Sequence, residues 1–475
     1  MKRIIHFLLA VSTVGLLAAC SQVVSSDDSQ EWSLVPSQDS TTNMTIYEAE
    51  LLDNYILLDL YYMYGHKRNE LDENYKVYLN KGTKQNQGNK GYCTAEFYDV
   101  CYMYSQVKDN YTQYYDPYVA NEVLKRTNYS DIVVGVGAEV ETVEDSDTQF
   151  LRISQVYPHS PSEKAGLLEG DIIYTIDGVS IRTEKNFNAM CTGNKGDILK
   201  FIVGRDADTI VAAVELEEYY TPTVRLHYED SIPVIEIQEF TPQTISDSGT
   251  YGEFITALQK TKDAKSTIID LRNNPGGSTR QCNDISSEFL AKGDTILSDV
   301  QTMVDSVFEN EEWTYIQAFD TITYTAGSDG LAKDRYIVLL ADTASASCAE
   351  VVLASTITNK KSPIVGQLSY GKGIGQSFYT TYNNGLALVT TIEGFDKNWK
   401  SFHDLGILPD YEIDDPDEQM AKAVELAKKA KAKRSAGYGT KKLGHFAKAL
   451  PEEPKNGISS FREMKLRYNV IDKRK

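Results

Sequence analysis

Residues Ile268 to Arg280 read IIDLRNNPGGSTR. An apolar run of strand character gives way to Asn, Pro and two glycines, and a segment of helical pattern follows from about Gln281 to Ala291. Two glycines between a strand and a helix free backbone amides to face a ligand, so an anion-binding turn is expected at Gly276 and Gly277. Taken alone, Pro-Gly-Gly is more often just a tight strand-to-helix connection. Around it IPVIEIQEF, YIVLLAD, SPIVGQ and LALVTT are strand-like, and Cys348 to Thr358 is helical in pattern. The expectation is an α/β core with a mixed sheet over 221–415, within an α+β multidomain chain.

Downstream, TASASCAEVV begins at Thr343, and Lys372 stands between Gly371 and Gly373. Serine beside an apolar run ordinarily caps a helix. Catalysis asks for more, because a hydroxyl is a poor nucleophile until a neighbouring base takes its proton. A lysine can be that base only when neutral, so burial has to lower its pKa from about 10.4. Glycines on both sides of Lys372 allow the close backbone approach that such burial requires.

Between Asp131 and Tyr220 the period is that of short strands: DIVVGVGAEV, FLRISQVY, GDIIYTIDGV and LKFIVGRD. The stretch SPSEKAGLLEGDIIYTIDGV, with the loop Gly135-Val136-Gly137-Ala138 ahead of it, resembles a PDZ domain. In that family such a loop offers its amides to a peptide's terminal carboxylate, while the sheet edge pairs with the peptide backbone.

DLRNNPGG, SASCAEVV and GKGIGQ, in this order behind a PDZ-like block and ahead of LGILPDYEI, resemble the C-terminal processing peptidases, also called tail-specific proteases. The likeness covers about Tyr47 to Pro416. It implies a serine endopeptidase with a nucleophile and a lysine base about 25 positions apart; Ser347 and Lys372 fit, and Ser345 does not. Gln376 matches the position that holds the amine, and Glu350 matches the acidic residue of the serine motif. The developing oxyanion would take amides from Cys348 and from Gly276 or Gly277. Where relatives read Ser-Ala-Ser-Ala-Ser-Glu this chain reads Ser-Ala-Ser-Cys-Ala-Glu, which raises Cys348 as a rival nucleophile. A triad through His403 is a second rival, and a catalytically silent peptide-binding scaffold is the alternative of another class.

The amino end, MKRIIHFLLAVSTVGLLAAC, has a basic pair, an apolar core and Leu-Ala-Ala-Cys, the pattern of a lipoprotein signal cleaved before Cys20. Lipidation of Cys20 would tether the chain to a bacterial envelope membrane, the outer one being favoured. Residues 20–42 read as a flexible tether. Residues 43–130 read as a helical domain holding 16 of the 31 tyrosines, and 131–220 as the PDZ domain. The remaining five cysteines contain no close CxxC pair, which argues against zinc; a Cys93–Cys101 bridge is compatible with the spacing. No cofactor or metal is expected. Of the net charge of −20, residues 416–475 carry +9 (16 Lys and Arg against 7 Asp and Glu), leaving −29 elsewhere. That tail reads as helical and solvated, with no nucleic acid expected. The expected partners are peptide or protein substrates with free C-termini.

Overall fold

The computed structural model describes residues 44–64, 70–145, 148–309, 312–360, 362–433 and 463–464. The signal, Cys20, the tether and most of the tail lie outside these, as do His66 and His445. The chain forms two compact units: one of 1–127, 225–240 and 256–475, the other of 128–224 and 241–255.

The first unit holds a six-stranded sheet in the order Val224–Glu229, Ile232–Ile237, Ser266–Asp270, Tyr336–Ala341, Ile364–Gly366 and Tyr411–Glu412. From Ile232 onward every pairing is parallel. Such strands are covered on both faces and read as unbroken apolar runs, and Ser266–Asp270 is buried throughout. On one face Ile232, Val234, Ile268, Val338, Leu340 and Val365 pack against Ala423, Val424 and Ala427 of helix Pro416–Lys433. The first part of the basic tail is therefore a core element. Lys428 and Lys429 are exposed, and its small apolar residues recur at helical spacing on the inner side.

A second, mixed sheet contains strands Gly91–Tyr92 and Gln113–Tyr115, the long hairpin Thr295–Glu309 with Glu312–Thr325, and strands Ile374–Thr380 and Leu386–Phe395. Leu386–Phe395 thus lies outside the parallel sheet. It pairs along one edge with Ile374–Thr380, and along the other with Gln113–Tyr115 near its start and the hairpin near its end. The amino-terminal segment, expected as a separate helical domain, contributes strands to this sheet and shares its core. Helix Ile46–Tyr61 is started by a capping box between Thr45 and Glu48. It is fastened by the fully buried Glu50, which accepts hydrogen bonds from Tyr114 Oη at 2.7 Å and the Asn383 amide at 2.6 Å.

The second unit has an antiparallel sheet ordered Ala138–Asp145, Thr148–Val156, Ile172–Ile176, Ile198–Arg205 and Asp208–Glu215, with Val179–Ser180 paired to Ile172–Ile176. DIVVGVGAEV is two strands. Ile132–Gly135 pairs with Glu217–Tyr220 in a separate ribbon, and Gly137, at φ +70°, turns the chain before Ala138–Asp145 begins. Leu151, Ile153, Ile176, Phe201, Val203 and Val214 form this unit's core.

Candidate active site

Three loops follow three neighbouring parallel strands at their carboxyl ends, where ligands of open α/β sheets bind. They are the turn after Ser266–Asp270, the serine loop after Tyr336–Ala341, and the Lys372 loop after Ile364–Gly366.

The first two are laced together. Ser345 Oγ donates to Leu271 O at 2.8 Å and accepts from the Asp342 amide at 2.8 Å. The Ala346 amide donates to Asn274 O at 2.9 Å, and the Asn273 amide to both Asp342 carboxylate oxygens at 3.0 Å. Ser345 is wholly buried and its hydroxyl is committed to the fold. Ser347, two residues on, is half-buried at φ +55°, a left-handed conformation that costs a non-glycine residue on the order of 1–3 kcal/mol. It stands directly ahead of helix Cys348–Lys360, whose first residue has no intrahelical partner for its amide.

The glycine turn completes this edge of the site. Gly276 lies so close that a Cβ there would come within 2.7 Å of Ser347 Cβ, and a Cβ on Gly277 would meet Phe240 O at 2.2 Å. Their φ values, +102° and +138°, also exclude side chains. The two amides differ. That of Gly276 is spent on Asn274 Oδ1 at 2.8 Å, so it is no free donor. The Gly277 amide has no protein acceptor among the described residues. The donors open to an oxyanion are accordingly Cys348 and Gly277.

Glu350 joins the serine loop to the Lys372 loop. Its carboxylate, wholly buried, accepts from the Ser347 amide at 2.9 Å, the Lys372 amide at 2.7 Å, the Gly371 amide at 2.7 Å and Ser369 Oγ at 2.6 Å. Burial raises its pKa, and these donors work against that rise. Burial lowers the Lys372 pKa from its ordinary value, with Asp109 and Glu350 acting in the other direction. Lys372 Nζ stands over the Tyr111 ring, 4.6 Å from its centroid. No hydrogen bond joins it to Ser347 Oγ among the described residues. Gln376, on strand Ile374–Thr380, turns its Nε2 to Thr390 Oγ1 at 3.1 Å and not to the lysine amine.

The rivals are placed as clearly. Cys348 is bridged to Cys282, so its sulfur is no free thiolate, and a second bridge joins Cys93 to Cys101. The sequence suggested only the latter, because Cys282 and Cys348 are 66 residues apart and meet through helix packing. Cys191 is a buried free thiol, its pKa pushed up to about 12 by burial. His403 backs Gly373, where a Cβ would meet its amide nitrogen at 2.7 Å, and its Nε2 lies 3.7 Å from Asp404 Oδ2. It makes no bond to Ser347. Asp109 and Tyr111 were not legible as site residues, since they lie more than 200 positions from the serine in a tyrosine-rich segment read as helical core.

In the second unit, strand Ala138–Asp145 is a sheet edge, with helix Glu184–Met190 beside it and Thr142 Oγ1 bonded to Glu184 at 3.4 Å. An open edge flanked by a helix is the geometry for adding a peptide strand. At its head, the Tyr219 hydroxyl lies 3.5 Å from where a Gly135 Cβ would be. Val136 is buried, its carbonyl taken by the Ser162 amide at 2.8 Å.

Fold and site define an α/β protein with a serine loop at the sheet's carboxyl edge and a PDZ unit on the same chain. Residues 231–413 match peptidase family S41 and residues 152–199 match the PDZ domain. Through residues 231–413 the chain is similar to peptidase family S41, the C-terminal processing proteases. It is 26% identical over 332 residues to a probable CtpA-like serine protease of Staphylococcus haemolyticus strain JCSC1435, covering 69% of this chain and 61% of that protein. It is likewise 26% identical over 334 residues to one of Staphylococcus aureus strain bovine RF122 / ET3-1, with the same coverage. The chain thus spans about 61% of the length of these curated relatives. Among solved structures, a photosystem II D1 C-terminal processing protease aligns at TM-score 0.44 and 17% identity, over 78% of this chain and 94% of that one.

Proposed function

We propose that this chain is a serine endopeptidase in which Ser347 attacks and Lys372 is the general base, acting on proteins presented by their C-terminal tails. The observation that carries the reading is Glu350: one buried carboxylate holds the Ser347 and Lys372 amides and so makes a single unit of two loops. Lys372, held toward its neutral form by burial, takes the Ser347 proton as Oγ bonds to the scissile carbonyl carbon. The resulting oxyanion lies against the Cys348 and Gly277 amides, each donor contributing about 3 kcal/mol. Lys372 then gives its proton to the departing amine. Water, activated by the same lysine, releases the acyl group from Ser347. Tails would dock along the Ala138–Asp145 edge with their carboxylate at Gly135–Ala138.

The motif at Cys20 supports an envelope lipoprotein, and the two disulfides suit an oxidising compartment. No described helix is long and apolar enough to cross a membrane.

The deciding experiment is labelling by a fluorophosphonate together with hydrolysis of a tail peptide, in wild type and Ser347→Ala. Labelling and turnover lost together on substitution support the dyad. A folded wild type that neither labels nor cleaves, yet binds the peptide, leaves the scaffold reading.

A further inference from the structure

Asp109 lies outside both family matches, in the amino-terminal segment between helix Tyr98–Ser105 and strand Gln113–Tyr115. Its carboxylate is buried, at 7% exposure, and it serves two arms. On one, Oδ1 accepts the Tyr111 amide at 2.7 Å and Oδ2 accepts Thr112 Oγ1 at 2.7 Å, closing a tight turn that fixes the Tyr111 backbone. The Tyr111 ring is the surface beneath Lys372 Nζ, and Tyr370, two residues before the lysine, acts on its hydroxyl. On the other, Oδ2 accepts Thr390 Oγ1, and Thr390 Oγ1 in turn accepts Gln376 Nε2 at 3.1 Å. The Thr390 amide donates to Thr112 Oγ1 at 3.0 Å, so the arms are cross-tied.

We propose that Asp109 is a positioning residue for Lys372, holding the Tyr111 ring under its ammonium and, through Thr390, fixing the Gln376 side chain. The proposal rests on the reading of Lys372 as the base. The groups acting on that amine are Asp109 and Tyr111 from this turn and Glu350 from helix Cys348–Lys360; Tyr370 and Asp404 act on Tyr111, and His403 lies against the Gly373 backbone. Asp109 and Glu350 are the carboxylates that act on the amine directly. Glu350 ties the serine and lysine loops together through three amides and a hydroxyl, so Asp109 is the carboxylate near the amine that can be changed without undoing both loops. A cation over an aromatic face is favoured only while the ring stays in register, and that register comes from the Asp109 turn.

The test has a readout that does not require catalysis. Lysines of full-length Ser347→Ala are reductively methylated with ¹³C, the Lys372 signal is assigned by its loss in Lys372→Arg, and its titration is followed with and without Asp109→Asn. The expected result is a Lys372 midpoint at least half a pH unit lower in Asp109→Asn, with the other lysines unmoved. In the active protein, Asp109→Asn shifts the acid limb of kcat/KM by the same amount and lowers the plateau of kcat about tenfold at unchanged KM. Tyr111→Leu, which keeps the carboxylate but removes the ring, also moves the Lys372 signal and serves where Asp109→Asn fails to fold. An unchanged Lys372 titration in either folded variant overturns the proposal. Activity surviving in Lys372→Ala would sink the dyad instead, and the titration reads Asp109 either way.

Discussion

Two glycine loops of this chain look alike on paper and differ in what their amides are doing. In the peptidase unit Asn273 to Gly277 is bent tightly, with the Gly276 amide committed to Asn274, the Gly277 amide open, and Gly276 packed against Ser347. In the PDZ unit the loop Gly135 to Ala138 has the Tyr219 hydroxyl of the same unit lying 3.5 Å from where a Gly135 Cβ would be. In the proposed reading the first loop meets an anion that exists only during a reaction. The second would meet a peptide carboxylate in the presence of a neutral hydroxyl. A glycine pattern thus predicts that amides can face a ligand, and the neighbouring side chains decide whether they do.

The contrast breaks most sharply if the serine loop does no chemistry. Ser347→Ala and Lys372→Ala should each cut hydrolysis by about 10⁴-fold or more, and the double variant should lose no more than either, since the two act as a unit. Lys372→Arg should fail as well because a guanidinium stays charged. Stopped assays on purified, folded variants check this, and substantial turnover in Ser347→Ala would end the assignment.

Alanine at each loop sharpens the comparison. Gly277→Ala puts a Cβ 2.2 Å from Phe240 O and must move the open amide, so kcat should drop by roughly 10²-fold with KM little changed. Gly137→Ala places its Cβ 2.3 Å from Ser160 Cβ in the other unit; it should weaken tail binding and spare turnover of short peptides. Both variants losing kcat equally would mean the loops do not divide the work.

Stability with pH probes what lies behind the lysine loop. Asp299 is buried, its Oδ1 has no hydrogen-bond partner, and burial pushes its pKa up to about 7. It lies 3.6 Å from where a Gly394 Cβ would be, and the Gly394 amide donates to Gly373 O. Below the ordinary value of 3.8 the carboxyl is protonated folded or unfolded; between 3.8 and about 7 only the folded chain keeps the proton. Its contribution therefore falls as pH rises through that window and is lost above about 7. Asp299→Asn should stabilise the protein at pH 8 by on the order of 2 kcal/mol, and by little at pH 4, as denaturant unfolding at both values would record. A gain equal at both values would mean the titration is not the cause.

The smallest effect belongs to the phenol in the PDZ loop. Tyr219→Phe removes the hydroxyl that lies against Gly135 and should tighten binding of a free-carboxylate peptide to full-length Ser347→Ala by about fivefold, the size of one neutral hydrogen bond. The amidated peptide should not gain. Fluorescence anisotropy on the pair decides it, and equal gains would remove carboxylate recognition from that loop.

The sequence alone determined what local chemistry can encode. Strand runs bounded by Gly and Asn and the PDZ pattern depend on neighbours along the chain, and the same kind of reading proposes Ser347 with Lys372 and a leader at Cys20. Tertiary structure decided whatever joins distant segments. It gave Ser345 to the fold through Leu271 and strained Ser347 into φ +55°. It spent Gly276 and left Gly277 open, closed Cys282 on Cys348, set Pro416–Lys433 into the core, and brought Asp109 and Tyr111 to the lysine. The physical reason is the same in each case. A buried amide, hydroxyl or carboxylate must find a partner, and that partner is chosen by which strands and helices pack together, information no window of sequence contains.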